Sequence, residues 1–176
     1  MKAATIILGI FLYIPSYIHC SSGNDYQNGV LKLENKTINA EIKINDAKDL
    51  VLVRLKNRVS LYRPKDIQKI TVNNKTYGGF SLQGKYYLFE IIFDGDQKIL
   101  YRENLKYLKS DPDFLPSIYL YEGQEALPIY REKFILDVFD NDKPWMKQYV
   151  KNQDLNLRDY HDLAQAFQYY KETTIF

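Results

Sequence analysis

Apolar and polar residues alternate over residues 30–34 and again beyond Asn35-Lys36-Thr37. There Ile38, Ala40, Ile42 and Ile44 take one side and Asn39, Glu41 and Lys43 the other. Successive side chains of a strand point to opposite faces, so two alternating runs about a short polar turn predict a β-hairpin. Residues 50–55 (LVLVRL) are apolar at nearly every position, which predicts a strand buried on both faces. Residues 59–62 continue the sheet until Arg63-Pro64-Lys65-Asp66, where Pro64 has no N–H to give a central ladder. Residues 67–72 re-enter it, and Asn73-Asn74-Lys75 turns the chain again before Tyr77. The strongest hairpin pattern is residues 86–93 (YYLFEIIF) with 98–101 (KILY), about Asp94-Gly95-Asp96, where glycine is free to take positive φ. After the loop Ser110-Asp111-Pro112-Asp113, residues 118–121 and 127–130 pair around Glu122-Gly123.

Near residue 131 the period changes. Phe134, Ile135, Val138 and Phe139 recur at helical spacing, and Asn141 or Asp142 can cap a second helix with Pro144 in its first turn. Trp145, Met146, Tyr149 and Val150 form the apolar stripe of that helix. In the last segment Leu157, Tyr160, Leu163, Ala164, Phe167 and Tyr170 share one side of a helix, with Arg158, Asp162, Gln165 and Tyr169 turned away. No strand–long helix–strand crossover is present. The fold class predicted is therefore α+β: an antiparallel sheet over residues 23–130, curled or barrel-like to limit its edges, then a C-terminal helical segment of two to three helices over residues 131–176, packed on the same domain.

Residues 1–22 stand apart. Met1 and Lys2 give a positive start, residues 3–14 (AATIILGIFLYI) are mostly apolar, Pro15 ends the run, and small or polar residues follow. That order predicts a secretory signal peptide, cut after Ser22 or after Cys20. The apolar run is shorter than the roughly 20 residues a membrane span needs, so no transmembrane span is expected after cleavage. A lipid anchor at Cys20 is the lesser alternative, because His19 stands where a lipoprotein has a small residue. Cys20 is the single cysteine, which excludes an intrachain disulfide and a cysteine zinc cluster. The predicted location is extracytoplasmic: periplasmic or secreted, with an outer-membrane lipoprotein as the minority reading.

Net charge is +2, with acidic and basic residues interleaved and no basic block, so nucleic acid is not an expected partner. Tyrosine is the one compositional bias, 16 residues against 9 Phe and one Trp. A ring that buries its faces while its hydroxyl stays wet suits half-exposed sheets, and contact surfaces for the same reason.

Chemistry-bearing motifs are sparse. His161 is the one histidine beyond the signal segment, with no cysteine, nucleophile elbow or zinc helix to accompany it. Gly78-Gly79 is not a phosphate loop and predicts a bend or bulge. Asp137, Asp140 and Asp142 cluster, but without the twelve-residue spacing, glycine and closing glutamate of a calcium loop, so a solvated link between helices is expected; Asp94 and Asp96 are read the same way. Asn35-Lys36-Thr37 and Asn74-Lys75-Thr76 fit the N-glycosylation pattern and read as turns. No cofactor or metal set is predicted and no catalytic residue is nominated.

Several short segments carry a resemblance. They are residues 29–33 with 37–42, residues 61–67 (LYRPKDI) with their Tyr-x-Pro-x-Asp-Ile turn, residues 89–94 with Leu100-Tyr101, and a helical tail over residues 163–170. In this order the chain resembles a group of uncharacterised exported proteins of Bacteroidota, departing from them where Tyr170-Lys171 stands in place of Tyr-Asn. The resemblance implies an extracytoplasmic α+β domain of unknown function and carries no catalytic residue across. The function expected is a non-enzymatic module binding a protein or a surface glycan. The alternatives are a carboxylate-dependent hydrolase acting on a glycan, or a structural component of an envelope assembly. A concave, aromatic-lined cleft with two converging carboxylates would mark the hydrolase.

Overall fold

The computed structural model describes residues 26–106 and 111–174. The predicted signal peptide, Cys20 and Ser110 lie outside the described residues.

The fold is α+β: an antiparallel sheet of ten strands, not closed, followed by helices. The strands are β1 (Gln27–Leu33), β2 (Lys36–Asn45), β3 (Leu50–Leu55), β4 (Arg58–Tyr62), β5 (Lys69–Val72), β6 (Lys75–Leu82), β7 (Lys85–Asp94), β8 (Lys98–Tyr101), β9 (Ile118–Tyr121) and β10 (Ala126–Pro128). They lie in the order β10-β9-β8-β7-β6-β5-β1-β2-β3-β4. The helices are α1 (Glu132–Asp137), α2 (Lys143–Asn152) and α3 (Tyr160–Thr174).

The alternation reads out as predicted in β1 and β2, where Leu31, Ile38 and Ile42 are buried. β3 differs from expectation. Val51 and Val53 are buried while Leu50 and Leu52 are only half-buried, because no layer covers the second face at this end of the sheet. β6 is a full strand rather than a turn exit, its pattern blurred in sequence by Gly78 and Gly79. Neither glycine makes a bulge. A Cβ on Gly79 would lie 1.7 Å from the Pro64 carbonyl oxygen, so the glycine lets the Pro64–Asp66 turn press on the strand. The irregularity falls instead in β7, between Ile91 and Phe93. Positive φ is taken by Gly84 and Gly123, not by Gly95. β10 begins and ends earlier than residues 127–130, although Ile129 still donates its N–H to the Ile118 carbonyl of β9 at 2.8 Å.

Two layers cover the β7–β9 end. On one face Ile99 and Ile118 pack against Ile135, Met146, Val150, Leu163, Ala166 and Phe167 of the helices and Phe139 of the α1–α2 link. On the other, Phe80, Phe89 and Tyr119 meet edge to face beneath Leu105 and Leu115 of the β8–β9 connection. The α3 stripe differs in detail from the wheel: Ala166 is buried, and Tyr169, expected to face away, stacks on Tyr149 at 3.7 Å. Asp142 precedes α2 without capping it through its side chain; its carboxylate accepts the Tyr170 hydroxyl at 3.2 Å.

The open sheet is curled. Asp49, in the β2–β3 connection, accepts the Leu88 N–H of β7 at 3.0 Å, although β6, β5 and β1 stand between β7 and β2.

Candidate functional site

One row of side chains across the sheet shows where the site comes from. Leu31, Ile70, Tyr77, Glu90, Tyr101 and Ile118 are register partners in turn on β1, β5, β6, β7, β8 and β9. Partners in register share a face. The row is apolar at both ends, where it enters the two clusters of the core, and polar in the middle. A cleft of about 1040 Å³ opens over that polar middle, walled by the β2–β3 connection on one side and the start of α3 on the other.

Glu90 sits at its floor with a side chain only 12% exposed. Lys75, two residues before Tyr77 and so on the same face, meets Glu90 Oε2 at 3.0 Å. Tyr160, the first residue of α3, donates its hydroxyl to Glu90 Oε1 at 2.5 Å. The Lys75 ammonium also lies 4.5 Å over the Tyr160 ring, and that ring packs 4.8 Å from Tyr101. Tyr101 in turn donates to Glu103. Burial opposes the charge on Lys75, yet its contacts with Tyr160 and Glu90 outweigh burial and hold it above the ordinary lysine range. Burial, reinforced by the Glu90 charge, pushes the Tyr77 phenol up to about 12. Burial and a carboxylate acceptor raise Tyr101 and Tyr160 in the same way.

The far wall rests on a second charged group. β8 ends at Tyr101, opposite Glu90, so β7 has no neighbouring strand on that side at Leu88. Asp49 and Arg102 replace it. Asp49 Oδ1 accepts the Leu88 N–H, and Arg102 Nη1 donates to the Leu88 carbonyl at 2.6 Å and to Asp49 Oδ1 at 2.9 Å. Arg102 Nη2 reaches the Asp46 carbonyl at 2.5 Å, which pins the β2–β3 connection over the cleft. The ion pair thus satisfies backbone groups that a buried edge would otherwise leave unpaired.

Of the residues singled out in the sequence, His161 lies on this cleft, exposed at its rim with its ring edge-on to Tyr160. The acidic clusters lie elsewhere. Asp137 pairs with Lys143, Asp94 with Lys69 and Lys98, and Asp96 is exposed. Among the described residues no group of three His, Cys, Asp or Glu is placed to hold a metal ion. Asn35 and Asn74 both lie in turns between strands. Glu90, Lys75, Tyr77, Tyr101 and Tyr160 were not picked out beforehand. One signal for them existed: Glu90 is the single charge within the apolar run of residues 86–93. Its partners come from 15 and 70 residues away and have no local pattern.

Comparison with protein-family models, curated proteins and solved structures finds no match. The reading of the cleft therefore rests on its own chemistry.

Proposed function

We propose that the chain is an exported, non-catalytic binding module whose cleft takes a polyhydroxylated ligand of the surface-glycan class. The observation that carries this is the polar row Tyr77–Glu90–Tyr101 with Tyr160 beside it. Phenol rings offer apolar faces, while the Tyr77 hydroxyl, the oxygens of the other phenols and the remaining N–H groups of Arg158 offer acceptors and donors for hydroxyl groups. The cleft is concave and aromatic-lined, as a glycosidase site would be, but its innermost carboxylates are already engaged. Glu90 accepts from Lys75 on one oxygen and Tyr160 on the other, and Asp49 is held by Arg102 and the Leu88 N–H. A glycosidase sets two carboxyl groups facing each other across a sugar, whereas here both are built into the walls of the cleft by contacts within the protein. Pre-engaged groups suit binding, where a fixed geometry lowers the cost of association.

Export is part of the same proposal. It is supported by the order of residues 1–22 and by the likeness of the element order to exported Bacteroidota proteins. Among the described residues no helix is long and apolar enough to cross a membrane.

Titrating the protein with a panel of neutral oligosaccharides, followed by NMR, tests the binding reading. Saturable shifts at the ring signals of Tyr77, Tyr101 and Tyr160 are expected, and their loss in Tyr101→Ala. Release of reducing ends from any member, abolished in Glu90→Gln, would instead make the protein a hydrolase. For export, the intact mass of the protein from each cell fraction should begin at Ser21 or Gly23. A start at acylated Cys20 in the membrane fraction would make it a lipoprotein, and an uncleaved chain would end the proposal of export.

A further inference from the structure

The two edges of the sheet are unlike. β10 is three residues long and ends in Pro128, which has no N–H to offer a neighbouring strand. β4 is five residues long, regular, without proline or bulge, and among the described residues pairs with β3 alone. Its Val59 and Leu61 are 55% and 53% exposed, and Leu55 at the hairpin end is 50% exposed. A regular edge strand with exposed branched side chains is one that soluble proteins ordinarily blunt with charge or proline. Here the one charge within the strand is Arg58.

We propose that β4 pairs with β4 of a second copy of this chain, antiparallel and centred on Ser60, to form a two-fold dimer with one continuous sheet. Backbone direction, side-chain pairing and charge all fit this register. The two-residue loop Lys56-Asn57 makes Leu55 and Arg58 the closing pair of the β3–β4 hairpin. Alternate residues turn their N–H and C=O groups outward, so the outward pair is Val59 and Leu61. Centred on Ser60, Val59 of each copy faces Leu61 of the other, and the outward groups meet as hydrogen-bonded pairs. The same register sets Arg58 against Tyr62, a cation beside a ring, and opposes no like charges. Because β10 is closed to pairing, addition stops at two copies and does not run on into a fibre. A contact one strand wide is small, so the dimer is a concentration-dependent one. β4 gives no residue to the cleft, so this inference stands independently of the ligand.

Sedimentation velocity of the mature protein from micromolar to millimolar concentration should show a monomer–dimer equilibrium. Val59→Lys with Leu61→Lys should remain monomeric with an unchanged circular dichroism spectrum. Ser60 lies on the proposed axis, where facing residues of a non-hydrogen-bonded pair are about 4.5 Å apart between Cα atoms, within disulfide reach. Oxidised Ser60→Cys, with Cys20 replaced by serine wherever the mature chain retains it, should therefore give a covalent dimer, and Arg58→Cys should not. A monomer at every concentration together with no Ser60→Cys cross-link overturns the proposal, as does equal cross-linking at both positions. A monomer that is destabilised by the double lysine change overturns it too, because β4 would then be covered within the chain.

Discussion

Glu90 is a charged residue in a largely apolar strand, and its cost is met by the Lys75 cation and the Tyr160 phenol. That arrangement makes alkaline pH a probe of the cleft. The Tyr77 phenol is raised to about 12 by burial and the Glu90 charge. An unfolded chain releases this proton near pH 10, so above that pH the unfolded state binds fewer protons than the native one. The stability Tyr77 contributes is therefore present below pH 10 and is lost as pH rises toward 12. Urea melts at pH 9 and 11 should show a smaller loss between the two for Tyr77→Phe than for the wild type. The Asp49–Arg102 pair gives a second test. Their side chains are 24% and 11% exposed, and removing Asp49 leaves the Leu88 N–H without its acceptor and the Arg102 cation with carbonyl oxygens but no counter-charge. Asp49→Ala should cost about 2–4 kcal/mol, and Asp49→Asn, which keeps an acceptor, distinctly less.

At the level of elements, the join between the Pro64–Asp66 turn and β6 is set by one missing methyl group. Adding Cβ at Gly79 drives it into the Pro64 backbone at 1.7 Å, where no flexible side chain can give way. At Gly84 nothing lies within 4 Å and the only obstacle is φ of +72°. Gly84→Ala should cost about 1–2 kcal/mol, and Gly79→Ala should cost more, at least 3 kcal/mol, as measured by urea unfolding. Most strands were legible, by clean alternation in β2 and by dense β-prone runs about a turn in β7 and β8. β6 was not, since two glycines carry no hydrophobic signal and their purpose is a contact with a turn 15 residues earlier in sequence. Leu50 and Leu52 misled in the opposite sense. Their hydropathy says that they favour burial, but whether a layer exists to bury them depends on where a distant segment settles: the β8–β9 connection, which brings Leu105 and Leu115 to this face, lies over the other end.

Across the molecule, the curled strands and the helical layer are tied together through the cleft, by Glu90 with Tyr160 on one wall and by Asp49 with Leu88 on the other. They should accordingly unfold as one unit. Ile42, 1% exposed among the N-terminal strands, is remote from Trp145 on α2. Ile42→Ala should cost about 2–5 kcal/mol and shift the Trp145 fluorescence transition and the far-ultraviolet circular dichroism transition together. Two separate midpoints would show the layers to be independent. The chain's own periodicities determined the fold class, most strands and the helical tail, because burial against one face imposes a pattern that can be read within a few residues. The tertiary structure alone decided the site. Tyr77, Glu90 and Tyr101 become neighbours through strand register, Lys75 and Tyr160 through a turn and a helix start, and Asp49 through the curl of the sheet. Such contacts depend on where distant segments pack, and no local run of residues encodes that.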